Sequence, residues 1–212
     1  MADEPRPSRA SAARLSLYLR CLEGWRQDGR RTASSRDLAA ALGLGDAQVR
    51  KDLAHLGRLG RRGVGYRVAD LAAGIRSALG IDRDWPAVMV GAGNLARALL
   101  RYRGFPERGF RLVSLFDADP RKVGQRIEGL DVFPMTDLAR RVRALGAELG
   151  IVTVPWEAAQ EVAEALAASG IRGVLNFAPA VLRLPAGVAV VNVDLTIQLE
   201  QLAFQVQAGR DG

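Results

Sequence analysis

Gly91, Gly93 and Ala96, in the stretch Ala87–Leu100 (AVMVGAGNLARALL), are spaced as G-x-G-x-x-A. After a short apolar run this spacing suits a diphosphate ligand. Gly91 permits a tight turn, Gly93 leaves room for a pyrophosphate against the backbone, and Ala96 lets a helix pack close to the preceding strand. Ala92, Asn94 and Leu95 complete a loop whose free N–H groups and helix dipole favour an anion. A carboxylate, Asp117, follows Gly93 by 24 residues, close to the ~20 expected of a ribose ligand. It can accept from both ribose hydroxyls and would repel a 2′-phosphate. NAD(H) is therefore favoured over NADP(H), although Arg121 and Lys122 nearby weaken the preference. The competing role for Asp117 is a turn acid capping the loop DADP.

Residues that could turn such a cofactor over are scarce. Hydride transfer usually needs an acid or base at the reacting carbon, most often His, Lys or Tyr. The single His, His55, lies upstream, and beyond residue 85 the only Lys is Lys122 and the only Tyr is Tyr102. Asp or Glu could still serve as bases, but no catalytic residue is assigned. One cysteine, Cys21, excludes a multi-cysteine metal site, and no cluster has metal-ligand spacing. No metal is expected.

The elements that must position this loop follow from apolar patterning. Ala87–Val90 reads as a buried parallel strand. A helix with Leu95, Ala98, Leu99 and Tyr102 follows, then a strand Arg111–Phe116 ending in Asp117. Thr136–Ala147 reads as helix, Leu149–Val154 as strand, Trp156–Ala168 as helix, and Gly173–Asn176 and Val188–Val191 as strands. This alternation predicts an α/β, Rossmann-like, doubly wound parallel sheet over residues 85–193. Ligands of such sheets lie beyond the C-terminal strand ends. Thr153, Val154, Pro155, Asn176, Phe177, Ala178 and Pro179 at those ends are candidates to contact the ribose or nicotinamide.

The preceding module, residues 1–84, is different in charge. Residues 1–85 hold 16 Lys/Arg against 10 Asp/Glu, whereas residues 86–212 hold 14 against 13. Nearly all of the net charge of +7 therefore sits in the first part, which suggests a polyanionic partner. Residues 1–11 read as a loose arm. Leu15, Tyr18, Leu22 and Trp25 form one stripe of a helix. A second helix opens at Ser34 with Asp37 completing a capping box, turns Leu38, Ala41 and Leu42 inward, and ends at Gly43. Asp46 is expected to cap a third, Ala47–Leu56, with Val49, Leu53 and Leu56 on one side and Gln48, Lys51, Ala54 and His55 on the other. Helix, tight turn and helix make a helix-turn-helix; a plain helical hairpin with a solvated face has the same pattern. The next stretch, GRLGRRGVGY, decides between them. Its glycines and adjacent arginines suit a β-hairpin wing whose tip could enter a narrow minor groove. Ser34, Ser35, Gln48, Arg50, Lys51, His55, Arg61, Arg62 and Tyr66 are the DNA-contact candidates. Leu71, Ile75 and Leu79 mark a closing helix, and DRDWP is the linker.

The tail, residues 194–212, carries Leu195, Leu199, Leu202 and Val206 in one stripe with Phe204 alongside. It packs on its own sheet or on a second subunit; the symmetric half-sites of helix-turn-helix proteins favour a homodimer. MADEPRPSRA shows no signal-peptide pattern, and no apolar run approaches the ~20 residues of a membrane helix. A cytoplasmic protein without membrane contact is expected. An NAD-dependent oxidoreductase with a basic extension and a CoA-binding, ligase-type Rossmann domain are the competing readings.

In this order QVRKDLAHLG, GRRGVGY, VGAGNLA, FDADPRKVG, IVTVPWEAAQ, GIRGVLNFAP and NVDL resemble the Rex family of redox-sensing transcriptional repressors over nearly the whole length. The pair His55-Leu56 departs from a family pattern that often has two aromatics. The resemblance implies a homodimer that binds double-stranded palindromic operator DNA through winged helices. It implies that NAD⁺ permits operator binding, that NADH releases it, and that the C-terminal helix is swapped between subunits. It further implies a switch in which Asp194 exchanges partners between Tyr102 and Arg20.

Overall fold

The computed structural model describes residues 7–57, 60–61 and 65–209. The chain divides into two compact units, Met1–Arg83 and Asp84–Gly212.

The first unit runs α1 (Arg9–Gln27), β1 (Thr32–Ala33), α2 (Ser35–Leu42), α3 (Asp46–Ala54), β2 (Gly60–Arg61), β3 (Gly65–Arg67) and α4 (Val68–Ala78). Leu15, Tyr18, Leu19 and Leu22 of α1 are buried with Leu38 of α2, Val49 and Leu53 of α3, and Leu71 and Ile75 of α4. Ser8 caps α1 by accepting from the Ser11 amide at 3.2 Å, so the helix begins inside the expected loose arm. Ser34 and Asp37 form the reciprocal capping box of α2. Gly43 closes that helix at φ 64°, a left-handed conformation that costs glycine little. Other details differ from expectation, and α3 ends at Ala54 rather than Leu56. Ala39 rather than Ala41 faces the core. Gly45, not Asp46, is the N-cap of α3, and Asp46 Oδ2 instead faces Arg50 at 3.3 Å.

β2 and β3 pair antiparallel as Gly60↔Tyr66 and Arg61↔Gly65, the expected wing hairpin. The two-residue strand β1, too short to show periodicity, adds to β3 and makes the sheet β1-β3-β2. Arg62, expected at the tip, lies outside the described residues, as does the side chain of Arg61.

The second unit runs β4 (Trp85–Val90), α5 (Asn94–Arg101), α6 (Gly104–Glu107), β5 (Phe110–Asp117), β6 (Arg126–Ile127), β7 (Leu130–Pro134), α7 (Leu138–Leu145), β8 (Leu149–Val152), α8 (Trp156–Ala168), β9 (Gly173–Asn176), β10 (Ala189–Asn192) and α9 (Leu195–Ala208). The strand order is β10-β9-β8-β4-β5-β7-β6. All neighbours are parallel except β6 and β7. Residues alternate between faces: Val88, Val90, Phe116, Val152 and Val174 pack with Leu138, Val142, Val162 and Leu166 of α7 and α8. Met89, Leu115 and Ile151 pack with Ala96 of α5. Helices thus cover both faces, as doubly wound sheets require.

α8 and β9 match the sequence reading. Other bounds moved. β4 begins at Trp85, inside the expected linker, and β8 stops at Val152. The helix expected from Thr136 starts only at Leu138, after a 3₁₀ turn over Met135–Asp137, and β10 is shifted by one residue to Ala189–Asn192. The β6–β7 hairpin was not expected. Its tip is Glu128-Gly129, both at positive φ (48° and 86°), a primed turn usually signalled by Asn-Gly or Asp-Gly. On α5 the inward residues are Ala96, Leu99 and Leu100, whereas Leu95 and Ala98 are exposed. No residue of α9 is buried, and its apolar side chains lie open, Leu195 at 70% and Phe204 at 74%.

Candidate functional site

β4 and β8 are the adjacent strands from which the sheet runs outward in opposite directions, the topological switch point where ligands of this fold class bind. The glycine loop leaves β4 here. Gly91 has φ 104°, and a Cβ on it would lie 2.6 Å from the Thr153 carbonyl oxygen, so only glycine fits. Thr153 clamps the turn: its amide donates to the Val90 carbonyl at 2.9 Å, and its hydroxyl lies 3.0 and 2.9 Å from the Val90 and Gly91 carbonyl oxygens. Gly93 is the N-cap of α5, and nothing lies within 4 Å of a Cβ built there. The open space sits at a helix N-terminus with no side-chain cap, so backbone donors are available to a phosphate. Ala96 is fully buried, closing helix onto sheet. Asn94 and Leu95 are exposed. The loop therefore fits a pyrophosphate.

Asp117 ends β5 and is 8% exposed. Its Oδ2 accepts from the Ala92 amide at 2.7 Å and from Lys122 Nζ at 2.9 Å, and its Oδ1 accepts from the Asp119 amide at 2.8 Å. Burial raises its pKa, but the Asp119 and Ala92 amides and the Lys122 ammonium outweigh burial and leave it below the usual range. The carboxylate is ionised and ties the glycine loop to the next strand. With about four lone-pair sites on a carboxylate, three are occupied. One site is left, on Oδ1, where the sequence led us to expect acceptors for two hydroxyls. Lys122 is the partner that sequence reading placed nearby but did not assign. Arg121 turns to Asp119, whose carboxyl it holds at about 2.

The other strand-end candidates divide. Asn176 is fully buried, and its amide is spent internally on Ala178, Ala180 and Asn192. It is a staple between β9 and β10 rather than an available ligand group, as is Ala178, which is buried. Val154 and Phe177 are half-buried, and Pro155 and Pro179 are exposed. Tyr102 caps α5, is 54% exposed and meets Phe105 edge-on. Asp194 caps α9, accepting from the Thr196 and Ile197 amides. Arg20 is exposed on α1.

In the first unit, Arg50, Lys51 and His55 are exposed on α3. Ser34 and Ser35 are half-buried at the start of α2, and the Ser34 oxygen accepts from the Asp37 amide. Tyr66 is half-buried against the core, so its ring anchors the hairpin rather than projecting from it. Sequence reading missed the group beneath α3. Asp52, 2% exposed, accepts from Arg14 Nε at 2.6 Å, Arg14 Nη2 at 2.7 Å, the Tyr18 hydroxyl at 2.8 Å and Gln48 Nε2 at 3.0 Å. Arg14 holds its pKa down at about 2, with Tyr18 and Gln48 adding to this against burial. Burial and the same carboxylate push the Tyr18 hydroxyl up to about 12. A charged residue among Val49 and Leu53 gave no apolar signal by which to find it. Among the described residues there is no group of three or more His, Cys, Asp or Glu that could hold a metal, and no helix long and apolar enough to cross a membrane.

Known proteins match both units. Residues 8–54 match a family described as a putative DNA-binding protein N-terminus, and residues 82–180 match the CoA-binding domain family. A redox-sensing transcriptional repressor Rex of Carboxydothermus hydrogenoformans is 48% identical over 93% of this chain and 95% of its own. One of Streptomyces coelicolor is 46% identical over 93% and 77%. A Rex-family repressor, RSP, solved with β-NAD⁺ and operator DNA, has a TM-score of 0.90 at 31% identity over 96% of this chain and 94% of that one. The same repressor with β-NADH has a TM-score of 0.86 at 30% identity over 97% of each chain. With a winged helix and an open dinucleotide loop in one polypeptide, and this identity along nearly its whole length, the chain belongs to the Rex family of redox-sensing transcriptional repressors.

Proposed function

We propose that this chain is a cytoplasmic, homodimeric repressor that binds palindromic operator DNA and is released from it by NADH. The observation that carries the reading is one polypeptide joining two features: α3 with Arg50, Lys51 and His55 exposed, and a glycine loop in which a Cβ on Gly93 would meet nothing within 4 Å. In this reading Gly91–Ala96 hold the pyrophosphate, Asp117 takes one ribose hydroxyl, and Thr153–Pro155 and Phe177 border the nicotinamide end. α3 and the hairpin with Arg61 and Arg62 contact the duplex. Lys51 and Arg50 supply cations for phosphates and base edges.

The coupling is a linkage between two ligands. A cofactor shifts DNA binding only by its differential affinity for the two conformations. Oxidised nicotinamide is cationic and reduced nicotinamide is neutral, so a carboxylate beside the ring distinguishes them. Asp194 is that carboxylate. It leaves its cap on α9 to exchange between Tyr102 and Arg20 as the ring changes charge. The apolar side chains of α9 all lie exposed, and clustered exposed apolar side chains mark interaction sites, which supports a subunit contact that carries the change across a dimer.

The test is a gel-shift titration on a palindromic duplex with NAD⁺ and NADH added separately. NADH should weaken binding while NAD⁺ does not, and binding should fall steeply with salt. Equal affinity with both forms would remove the sensing role. Asp194→Ala should keep DNA binding and lose its response to NADH.

A further inference from the structure

We propose that Asp52 sets the reading edge of Gln48, so that the pair selects adenine at one position of each half-site. This rests on the DNA-binding reading above.

Gln48 and Asp52 stand four residues apart on α3, on one helix face. Asp52 lies beneath the exposed surface, gripped by Arg14 through two hydrogen bonds and by Tyr18, with Ser11 Oγ at 3.3 Å. It is a fixed carboxylate, offering acceptors and no donor. Gln48 Nε2 lies 3.0 Å from its Oδ1. An exposed glutamine amide can ordinarily present its oxygen or its nitrogen to a partner. Here only the nitrogen can face Asp52, so the orientation of the amide is decided before DNA arrives.

One N–H of Gln48 is thus committed inward. The exposed side chain keeps two groups for outside partners, the carbonyl oxygen and the second N–H. They form an adjacent acceptor and donor. In the major groove adenine offers the complementary pair, the N6 amino donor beside the N7 acceptor. Guanine offers two acceptors there and would set its O6 against the amide oxygen. Cytosine offers a donor alone, and thymine an acceptor and a methyl group. A bidentate pair of this kind is worth about 1–3 kcal/mol of discrimination, or roughly 5- to 150-fold at about 1.4 kcal/mol per tenfold. Holding the amide in advance also removes the ordering cost of a free side chain. Asp52 is a positioning residue in this scheme, and Gln48 makes the contact.

The experiment is selection of bound sequences from a random duplex pool by the full chain, followed by competition between A·T and G·C at each enriched position. The wild type should enrich a palindrome with adenine preferred about tenfold or more at one symmetric position. Gln48→Ala should flatten that position alone. Asp52→Asn, whose side-chain amide can face Gln48 with either end, should lower the same preference, and the double variant should lose no more than Gln48→Ala. Additive losses in the double variant, or an unchanged motif with Gln48→Ala, would overturn the proposal. A wild-type chain that enriches no sequence would overturn the DNA-binding reading and this proposal together. A second measurement stands even if Asp52→Asn does not fold. In ¹H–¹⁵N spectra of the wild type, the Gln48 amide, assigned by its loss in Gln48→Ala, should be ordered, with one N–H protected from exchange. A freely rotating amide would sink the scheme.

Discussion

Two substitutions in the glycine loop should separate binding from folding. Gly93 has φ −89° and ψ −168°, extended backbone that any residue adopts, and nothing lies within 4 Å of a Cβ there. Valine at this position should change stability by no more than about 0.5 kcal/mol. Its methyl groups would fill the space reserved for a pyrophosphate and cost at least one charge-assisted hydrogen bond, about 1.5–3 kcal/mol. That predicts a Kd for NADH weaker by roughly 10- to 150-fold. Gly91→Ala is the converse case. Its Cβ would lie 2.6 and 2.7 Å from the Thr153 carbonyl oxygen and carbon, at φ 104°, so the backbone must shift. A loss of about 2–3 kcal/mol is expected from strain and clash together. NADH fluorescence titration beside thermal melts reads both variants. If Gly93→Val binds NADH like the wild type while its melt is unchanged, the pyrophosphate does not lie on this loop and the assignment of the cofactor site fails.

Arg14→Ala should leave the buried Asp52 carboxylate without its cation, held only by Tyr18, Gln48 and Ser11, and so lower stability in urea denaturation; an unchanged midpoint would show that Asp52 is not held as described. Asp52 has its folded pKa lowered to about 2, so its contribution is present above the unfolded value near 4 and lost as pH falls toward 2. Tyr18 is raised to about 12, so its contribution is present below pH 10 and lost on rising toward 12, and stability measured across both ranges should fall at each end. Asp117→Ala should weaken NAD⁺ and NADH alike, since its bonds to Ala92 and Lys122 hold the loop rather than the nicotinamide; selective loss of one form in calorimetry would contradict that. Leu199→Glu with Leu202→Glu on α9 should shift sedimentation from dimer to monomer, and an unchanged profile would exclude α9 from the subunit contact.

The elements were legible wherever a short-range rule acts alone. The apolar run before Gly91, the capping box of Ser34 and Asp37, and the αL glycine after α2 are each decided within a few residues, and each stands where the sequence placed it. The G-x-G-x-x-A loop is legible because one steric requirement per glycine is written at a set spacing. Three things belonged to the tertiary structure. Asp52 reads as one more polar residue on an amphipathic helix until α1 brings Arg14 and Tyr18 onto it across 38 and 34 residues of chain. Thr153 and Asn176 read as ligand groups at strand ends, and only the packed neighbours reveal that their hydrogen bonds are already used. Asp117 reads as a ribose acceptor, yet how many of its lone pairs are left was settled by Ala92, Asp119 and Lys122. The physical reason is common to all three. Local order follows from backbone sterics and periodicity, which a linear chain displays, whereas the free valence of a polar group depends on which partners folding brings within 3 Å.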